Sequence, residues 1–536
     1  MIERAACTLT APARIAPGQA ATVDFAIVAE PPEDGAAGPG LDLVVAVQAG
    51  EFAVSAPAGE PPNHARVRLA TGSEARGTFR LASKPARDRS GPARITLHVF
   101  NGGVPIGCVS VASAIRAGNG TAPQVQETVE LRFGPAVPPP DLTLFALDRP
   151  GSAGVVDLAV AVTRPDRPFA FRDLGSLDLI RERGPGLTGA LGRARERAGA
   201  VERRVGGTVA DFVRRILGAI HATSDIVEAD KARREWAIAD EGGKLWRRLP
   251  KACQDHYQRT IAGDPAFGSL LVCSEDWRWP WELVQPPQSL PARFRPGGAK
   301  PPMLGARLAV GRWPPNRPLP GSLAVGAAGV AVVLGDDPAR LPAGSRKELR
   351  VLTERFGAGA PRPGLGSAGF VALLGGGTLD LAHVLTHGGP NQEINLALGA
   401  DAGAANGHAD PDATILRPAD LARHKVDFRA SARSPLVFLN VCEGGAVGPD
   451  AAAAGGGWGE AWVGAGCGAF VAPYWMVNAS IAHDVVTRFY ADLAAGATIA
   501  DALRGIRIAF AENRHLHPTW LAYALVGHPA ATVALP

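Results

Sequence analysis

"LDLAHVLTHGG" at residues 379–389 and "SPLVFLNVCEGGAVG" at residues 434–448 decide the reading of this chain. Each is a short apolar run that ends in a chemically active side chain, His387 or Cys442, and then breaks into glycines. Runs this apolar suit strands buried on both faces, the condition of a parallel sheet covered by helices. "SLLVCS" (269–274), "GVAVVLG" (329–335), "GAFVAPYW" (468–475) and "LAYALVGHP" (521–529) repeat the pattern, with helical periodicity between them. The expectation is an α/β domain with a mostly parallel sheet flanked by helices. For His387 taken alone, metal ligation, a buried structural role and general-base chemistry all stay open.

In an open parallel sheet, ligands sit beyond the carboxyl ends of the strands, so neighbouring strands ending in His387 and Cys442 would deliver both to one crevice. There an imidazole can take the thiol proton, and the thiolate is a strong nucleophile toward a peptide carbonyl. The imidazolium can return the proton to the leaving amine. Gly388 and Gly389 would let a substrate backbone approach closely, and the backbone N–H groups of Gly388 and Cys442 could hold the developing oxyanion. The His383/His387 spacing, H-x-x-x-H, works best on a helix and lacks the adjacent glutamate of a metalloprotease; no metal and no other cofactor is expected. His383 reads as a packed strand histidine, and Cys273 and Cys467 as small core side chains. His515, His517 and His528 read as loop or packing residues.

The 536 residues allow more than one domain. Net charge is +4 from 55 basic and 51 acidic side chains, too balanced for a nucleic-acid-binding face. The 6 cysteines contain no C-x-x-C pair, which argues against a disulfide framework or a zinc ribbon and predicts reduced thiols in a cytoplasmic setting. "MIERAACTLTAPARIAPGQA" at the start has no signal-peptide core, and no apolar run is long enough to span a bilayer, so neither secretion nor membrane insertion is expected.

Residues 1–120 alternate polar and apolar between Gly/Pro punctuation, as in "ATVDFAIVAE" (21–30) and "ARITLHVF" (93–100), and predict an immunoglobulin-like β-sandwich. "VFNGGVPIGCVSV" reads as a hairpin turning at Asn101-Gly102. Residues 121–140, ending in "PAVPPP", are expected to link the sandwich to an α/β domain at 141–536. Within that domain "TIADALRGIRIAF" opens with Thr498 and carries Asp501 three residues on, a capping-box arrangement, and Gly496 closes the helix before it.

Several stretches together resemble the CHAT domains of caspase-like cysteine peptidases, relatives of caspases and separases. "LAHVLTHGG" is similar to the family's His-x-x-x-His-Gly strand and "LVFLNVCEGG" to its Leu-x-x-Cys-Glu-x-Gly strand. "RWPWELV" (278–284), "TILRPADLA" (414–422), "RFYADLAAGATIADALRGIRIAF" (488–510) and "HPTWLAYALVGHP" (517–529) resemble further family segments in the same order. The resemblance implies Cys442 as nucleophile, His387 as general base and acid, and Gly388 as part of the oxyanion hole. It implies a bacterial endopeptidase that cleaves a partner protein in a defence or cell-death cascade. The N-terminal domain would bind a regulator, a substrate or another copy; a non-catalytic assembly scaffold is the alternative. Glu443, Tyr474, Trp475 and Asn478 are the expected substrate-binding residues. Asn478 stands where the family often carries an acid, so a small, polar or apolar P1 residue is expected rather than a basic one, with Asn478 also able to cap the following helix. Trp279, Trp281 and Glu282 are expected to be structural.

Overall fold

A computed structural model describes residues 2–31, 39–55, 63–83, 92–115, 122–149, 155–178, 209–226, 231–274, 279–287, 303–388, 393–396, 415–431, 433–442, 457–475, 477–513 and 517–536. Among its described residues the N-terminal region forms two five-stranded sheets. Their strand periodicity sends every second side chain inward, so Phe25, Ile27, Phe79 and Leu81 of one sheet share a core with Val45, Ile95, Leu97 and Val109 of the other. This all-β arrangement agrees with the expected strand content. The hairpin turns one residue later than expected: Asn101 pairs with Val104, leaving Gly102 (φ 55°) and Gly103 (φ 83°) as the two loop residues. Positive φ at both positions is what a two-residue turn of this hand demands, and glycine supplies it without strain.

The stretch 121–140 is not wholly a linker. Gln124–Arg132 forms a strand paired antiparallel with Arg4–Pro12 at the edge of the first sheet. "QVQETVELR" carries enough alternation to present Leu131, fully buried, to the β core.

The second β sheet is covered on both faces. Val45, Val47 and Val99 point into the β core, whereas Ala46, Phe100 and Cys108 belong to the core of the α/β sheet. Phe100 meets Phe145 edge-on with ring centroids 5.8 Å apart, and His98 lies 4.0 Å from Phe145. Asn316 accepts a 2.6 Å hydrogen bond from the Cys108 backbone N–H. The close approach requires Gly107: a Cβ there would stand 2.5 Å from Leu131 Cδ2 and 3.0 Å from Asn316 Oδ1.

Among the described residues the α/β sheet has thirteen strands. Across its main path run Ala170–Asp178, Val155–Val162, Leu142–Asp148, Ser269–Ser274, Ala309–Trp313, Tyr523–Val526, Ala469–Pro473, Leu436–Cys442, Leu381–Gly388, Val330–Leu334 and Pro361–Pro363. The first three form an antiparallel meander, and Tyr523–Val526 runs antiparallel to Ala469–Pro473. The other neighbours along the path are parallel. Ala309–Trp313, Val330–Leu334 and Ala469–Pro473 are buried at every residue, as strands covered on both faces must be.

The helices Ala343–Phe356 and Ala479–Ala494 pack against each other. Their contact is so close at one end that a Cβ on Gly344 would meet the Ala479 and Ser480 backbone. Thr498 caps the helix where the sequence predicts its start, but the second arm of the box differs: Asp501 N–H donates to Thr498 Oγ1 at 3.0 Å, and that hydroxyl donates to the Asp501 carboxylate at 2.9 Å. Gly496 takes φ 88° directly after the preceding helix. Among the described residues no helix is long and apolar enough to cross a membrane.

Candidate active site

The strand carrying His387 and the strand carrying Cys442 are immediate parallel neighbours. Their register pairs Leu381 with Leu436, His383 with Phe438, Leu385 with Asn440 and His387 with Cys442. Adjacent strands lie about 4.8 Å apart, so the two positions stand side by side at the same carboxyl edge. The two-residue alternation places 387 and 442 on the sheet face that also carries His383, Phe438 and Asn440.

The end of the histidine strand is braced by a short side ladder. His387 and Gly388 pair antiparallel with Asn395 and Ile394, and those two residues pair in turn with Ile415 and Leu416. Thr386 donates its hydroxyl to the Asn395 carbonyl. Gly335, just past the neighbouring strand, makes room for this contact, since a Cβ there would lie 2.7 Å from the Asn395 oxygen. Asp420 stabilises the last piece by accepting the Arg417 N–H at 2.7 Å, at the start of a helix with Pro418 in its first turn.

Beneath positions 387 and 442 lies a buried polar network. His383, Glu348 and Asn440 are each wholly removed from solvent. Glu348, from the helix Ala343–Phe356, accepts from His383 Nε2 at 2.8 Å and from Asn440 Nδ2 at 2.8 Å to each carboxylate oxygen. Tyr523 donates to Asn440 Oδ1 at 2.7 Å, and the Tyr490 hydroxyl stands 3.0 Å from His383 Nδ1. The His383 ring stacks on Phe438 at 4.9 Å and 10°. Burial, with the Glu348 carboxylate adding to it, pushes the Tyr490 hydroxyl well above the usual phenol range. Both ring nitrogens of His383 are therefore engaged, which fits a packed strand histidine and leaves it no lone pair for a metal.

Residues 319–528 match the CHAT domain family model. This segment is similar to CHAT domains. It includes both strands of the candidate site, and the strands from Leu142 to Trp313 precede it. No curated protein matches the chain in sequence. Two solved structures of the Saccharomyces cerevisiae separase–securin complex align with it at 12% and 11% identity and TM-scores of 0.34 and 0.36. The alignments cover 73% and 72% of this chain but only 30% of the matched chain, so this chain spans under a third of that length. Likeness at this level carries neither activity nor substrate.

Within the matched segment the expected substrate-binding residues separate. Tyr474 is not a pocket wall: it is buried, and its hydroxyl donates to Glu282 at 2.9 Å and accepts from Arg312. Its backbone N–H donates to the carbonyl of Ala522, the last residue of the helix Thr519–Ala522, at 2.8 Å, and it has no open face to offer a ligand. Trp475 is buried beside it, ring centroids 6.4 Å apart. Asn478 caps the helix Ala479–Ala494, its Oδ1 accepting from Ser480 N at 3.0 Å and Ile481 N at 3.3 Å. Glu443 lies outside the described residues, as do Gly389 and His515.

Trp279, Trp281 and Glu282 are structural as expected, all buried, with Glu282 paired to Arg312. Cys273 and Cys467 are buried thiols that burial pushes far above the ordinary thiol range. His528 is buried and accepts from Ala530 N at 2.9 Å, a packing role.

Sequence reasoning missed Glu348 and Asn440. Their signal was present: Glu348 sits on the buried stripe Ser345–Glu348–Leu352–Phe356 of an amphipathic helix, and Asn440 is the one amide within "LVFLNVC". A polar side chain on an apolar stripe needs a buried partner.

Proposed function

We propose that this chain is a cysteine endopeptidase in which Cys442 attacks a peptide carbonyl and His387 moves the proton. The observation that carries the reading is the in-register pairing of these two positions at the carboxyl ends of adjacent parallel strands. In the reaction His387 accepts the Cys442 thiol proton and the sulfur bonds to the carbonyl carbon. The oxyanion is held by the backbone N–H groups of Gly388 and Cys442. The imidazolium then protonates the departing amine, and water hydrolyses the thioester to return the thiol. The substrate is a partner protein, in keeping with a bacterial defence or cell-death cascade in the cytoplasm. With Asn478 at the helix start in place of a carboxylate, the P1 side chain is small, polar or apolar.

The test is incubation of the full chain with proteins encoded beside it, followed by mass-spectrometric identification of new termini. Wild type should produce a defined fragment pair, and Cys442→Ala should produce none while melting at the same temperature. His387→Ala should slow cleavage by about 10²- to 10⁴-fold, the range for loss of a general base. Fragments that persist in Cys442→Ala would remove the nucleophile assignment, and intact neighbours throughout would favour an assembly scaffold.

A further inference from the structure

Glu348 ties the histidine strand to the cysteine strand by hydrogen bonds from outside the sheet. It reaches both through one carboxylate: Oε1 accepts from His383 and Asn440, and Oε2 accepts from Asn440. His383 precedes His387 by four residues and Asn440 precedes Cys442 by two, all on one sheet face. Backbone ladder bonds hold two parallel strands together, but a slip along the ladder would carry 387 away from 442. A buried carboxylate clamped to one residue on each strand resists that slip, because moving either strand leaves a buried N–H or a carboxylate lone pair without a partner.

We propose that Glu348 is a positioning residue for the Cys442/His387 pair, holding the two strands in the alignment that sets the thiol beside the imidazole. The proposal rests on the dyad reading given above. Tyr523 completes the clamp. By donating to Asn440 Oδ1 it fixes the amide so that the NH₂ group faces Glu348. With the His383 proton on Nε2, toward Glu348, the other ring nitrogen accepts from Tyr490, which orients the ring. The arrangement passes from the helix Ala343–Phe356 through two buried side chains into both catalytic strands, and none of its members is needed to touch substrate.

A glutamine at 348 has the right shape and the wrong hydrogen-bonding capacity. Either orientation of its amide turns an N–H toward the Asn440 NH₂, since both carboxylate oxygens now accept from that group.

The experiment follows alkylation of Cys442 by iodoacetamide in the full chain from pH 5 to 9, read by mass spectrometry of the Cys442 peptide, with melting temperatures in parallel. His387→Ala comes first and should raise the pH at which Cys442 becomes reactive. If it alkylates like wild type, the dyad reading fails and the proposal falls with it. Given that shift, Glu348→Gln should slow alkylation at pH 7 by about tenfold, equivalent to one pH unit in the thiolate titration. Tyr523→Phe, which removes one hydroxyl and keeps the ring, should slow it by roughly threefold. Glu348→Gln and Tyr523→Phe profiles that overlay wild type, beside a shifted His387→Ala, would overturn the positioning role and leave the dyad standing. If Glu348→Gln does not fold, Tyr523→Phe decides alone: a wild-type profile rejects the proposal, and a displaced profile at unchanged melting temperature supports it.

Discussion

Arg312 and Glu282 meet as an ion pair whose side chains are 1% and 0% exposed. Burial alone would raise the Glu282 carboxyl, but the charge and hydrogen bonds of Arg312 outweigh it and hold the group below its usual range. Tyr474 adds its hydroxyl to the same carboxylate. Removing one member strands the other in a medium that solvates charge poorly. Glu282→Ala should therefore cost about 3–5 kcal/mol, whereas a double replacement by Leu at 282 and Met at 312 should cost much less. Urea unfolding of the single and double variants checks it; equal losses in the two would mean the pair itself is strongly stabilising.

Asn478 supplies a measurable share of helix stability. Its side chain satisfies two otherwise unpaired N–H groups at the start of Ala479–Ala494. Asn478→Ala should lower stability by about 1 kcal/mol, and Asn478→Asp should restore it, because aspartate caps equally well. Cleavage preference measured on a P1 peptide library should be the same for wild type and Asn478→Ala if capping is its whole role. A changed P1 profile at restored stability would return the residue to the substrate pocket.

Acid should destabilise the fold through histidines buried in neutral form. Burial, with Arg94 nearby, pushes His98 down to about 3, and burial leads the causes that bring His256, His517 and His528 to about 4. An unfolded histidine titrates near 6.5, so between that pH and the folded values the unfolded chain binds more protons and stability rises with pH. The contribution is complete above about pH 6.5 and is lost as pH falls toward 3–4. His98 alone should account for about 2 kcal/mol lost by pH 5. Urea unfolding at pH 7 and pH 5 for wild type and His98→Phe tests this; an equal pH dependence in both would show that His98 does not carry it.

Deleting residues 1–133 should damage the remainder. The sequence suggests a domain joined by a Pro-rich connection, yet Phe100 and His98 pack on Phe145 and Phe171, and Cys108 is hydrogen-bonded to Asn316. Truncation uncovers Phe145 and Phe171, which are 1% and 4% exposed in the intact chain. Residues 134–536 expressed alone should melt lower than the full chain or aggregate. An unchanged melting temperature would show that the β region rests on the sheet without supporting it.

Local chemistry was legible in the sequence. Apolar runs gave the buried strands, Thr498 with Asp501 gave a helix start, Gly496 gave a helix end, and the two strand-terminal residues His387 and Cys442 were visible as a pair. These depend on interactions within a few residues or on a side-chain period, so they can be read along the chain. The strand 124–132 was hidden because its partner, Arg4–Pro12, is more than a hundred residues away and its exposed face looks like solvated linker.

By itself the sequence determined the buried strands of the α/β sheet and the place of His387 and Cys442 at the carboxyl ends of two of them. Tertiary structure alone decided that those strands are in-register neighbours, that Tyr474 closes a buried ion pair instead of facing a ligand, and that Glu348 bridges His383 to Asn440. The reason is that strand order, and the partner of each buried polar group, are set by the closure of long loops and the burial of whole faces. A carboxylate on a helix carries no local sign of which two strands, 35 and 92 residues further on, will supply its hydrogen bonds.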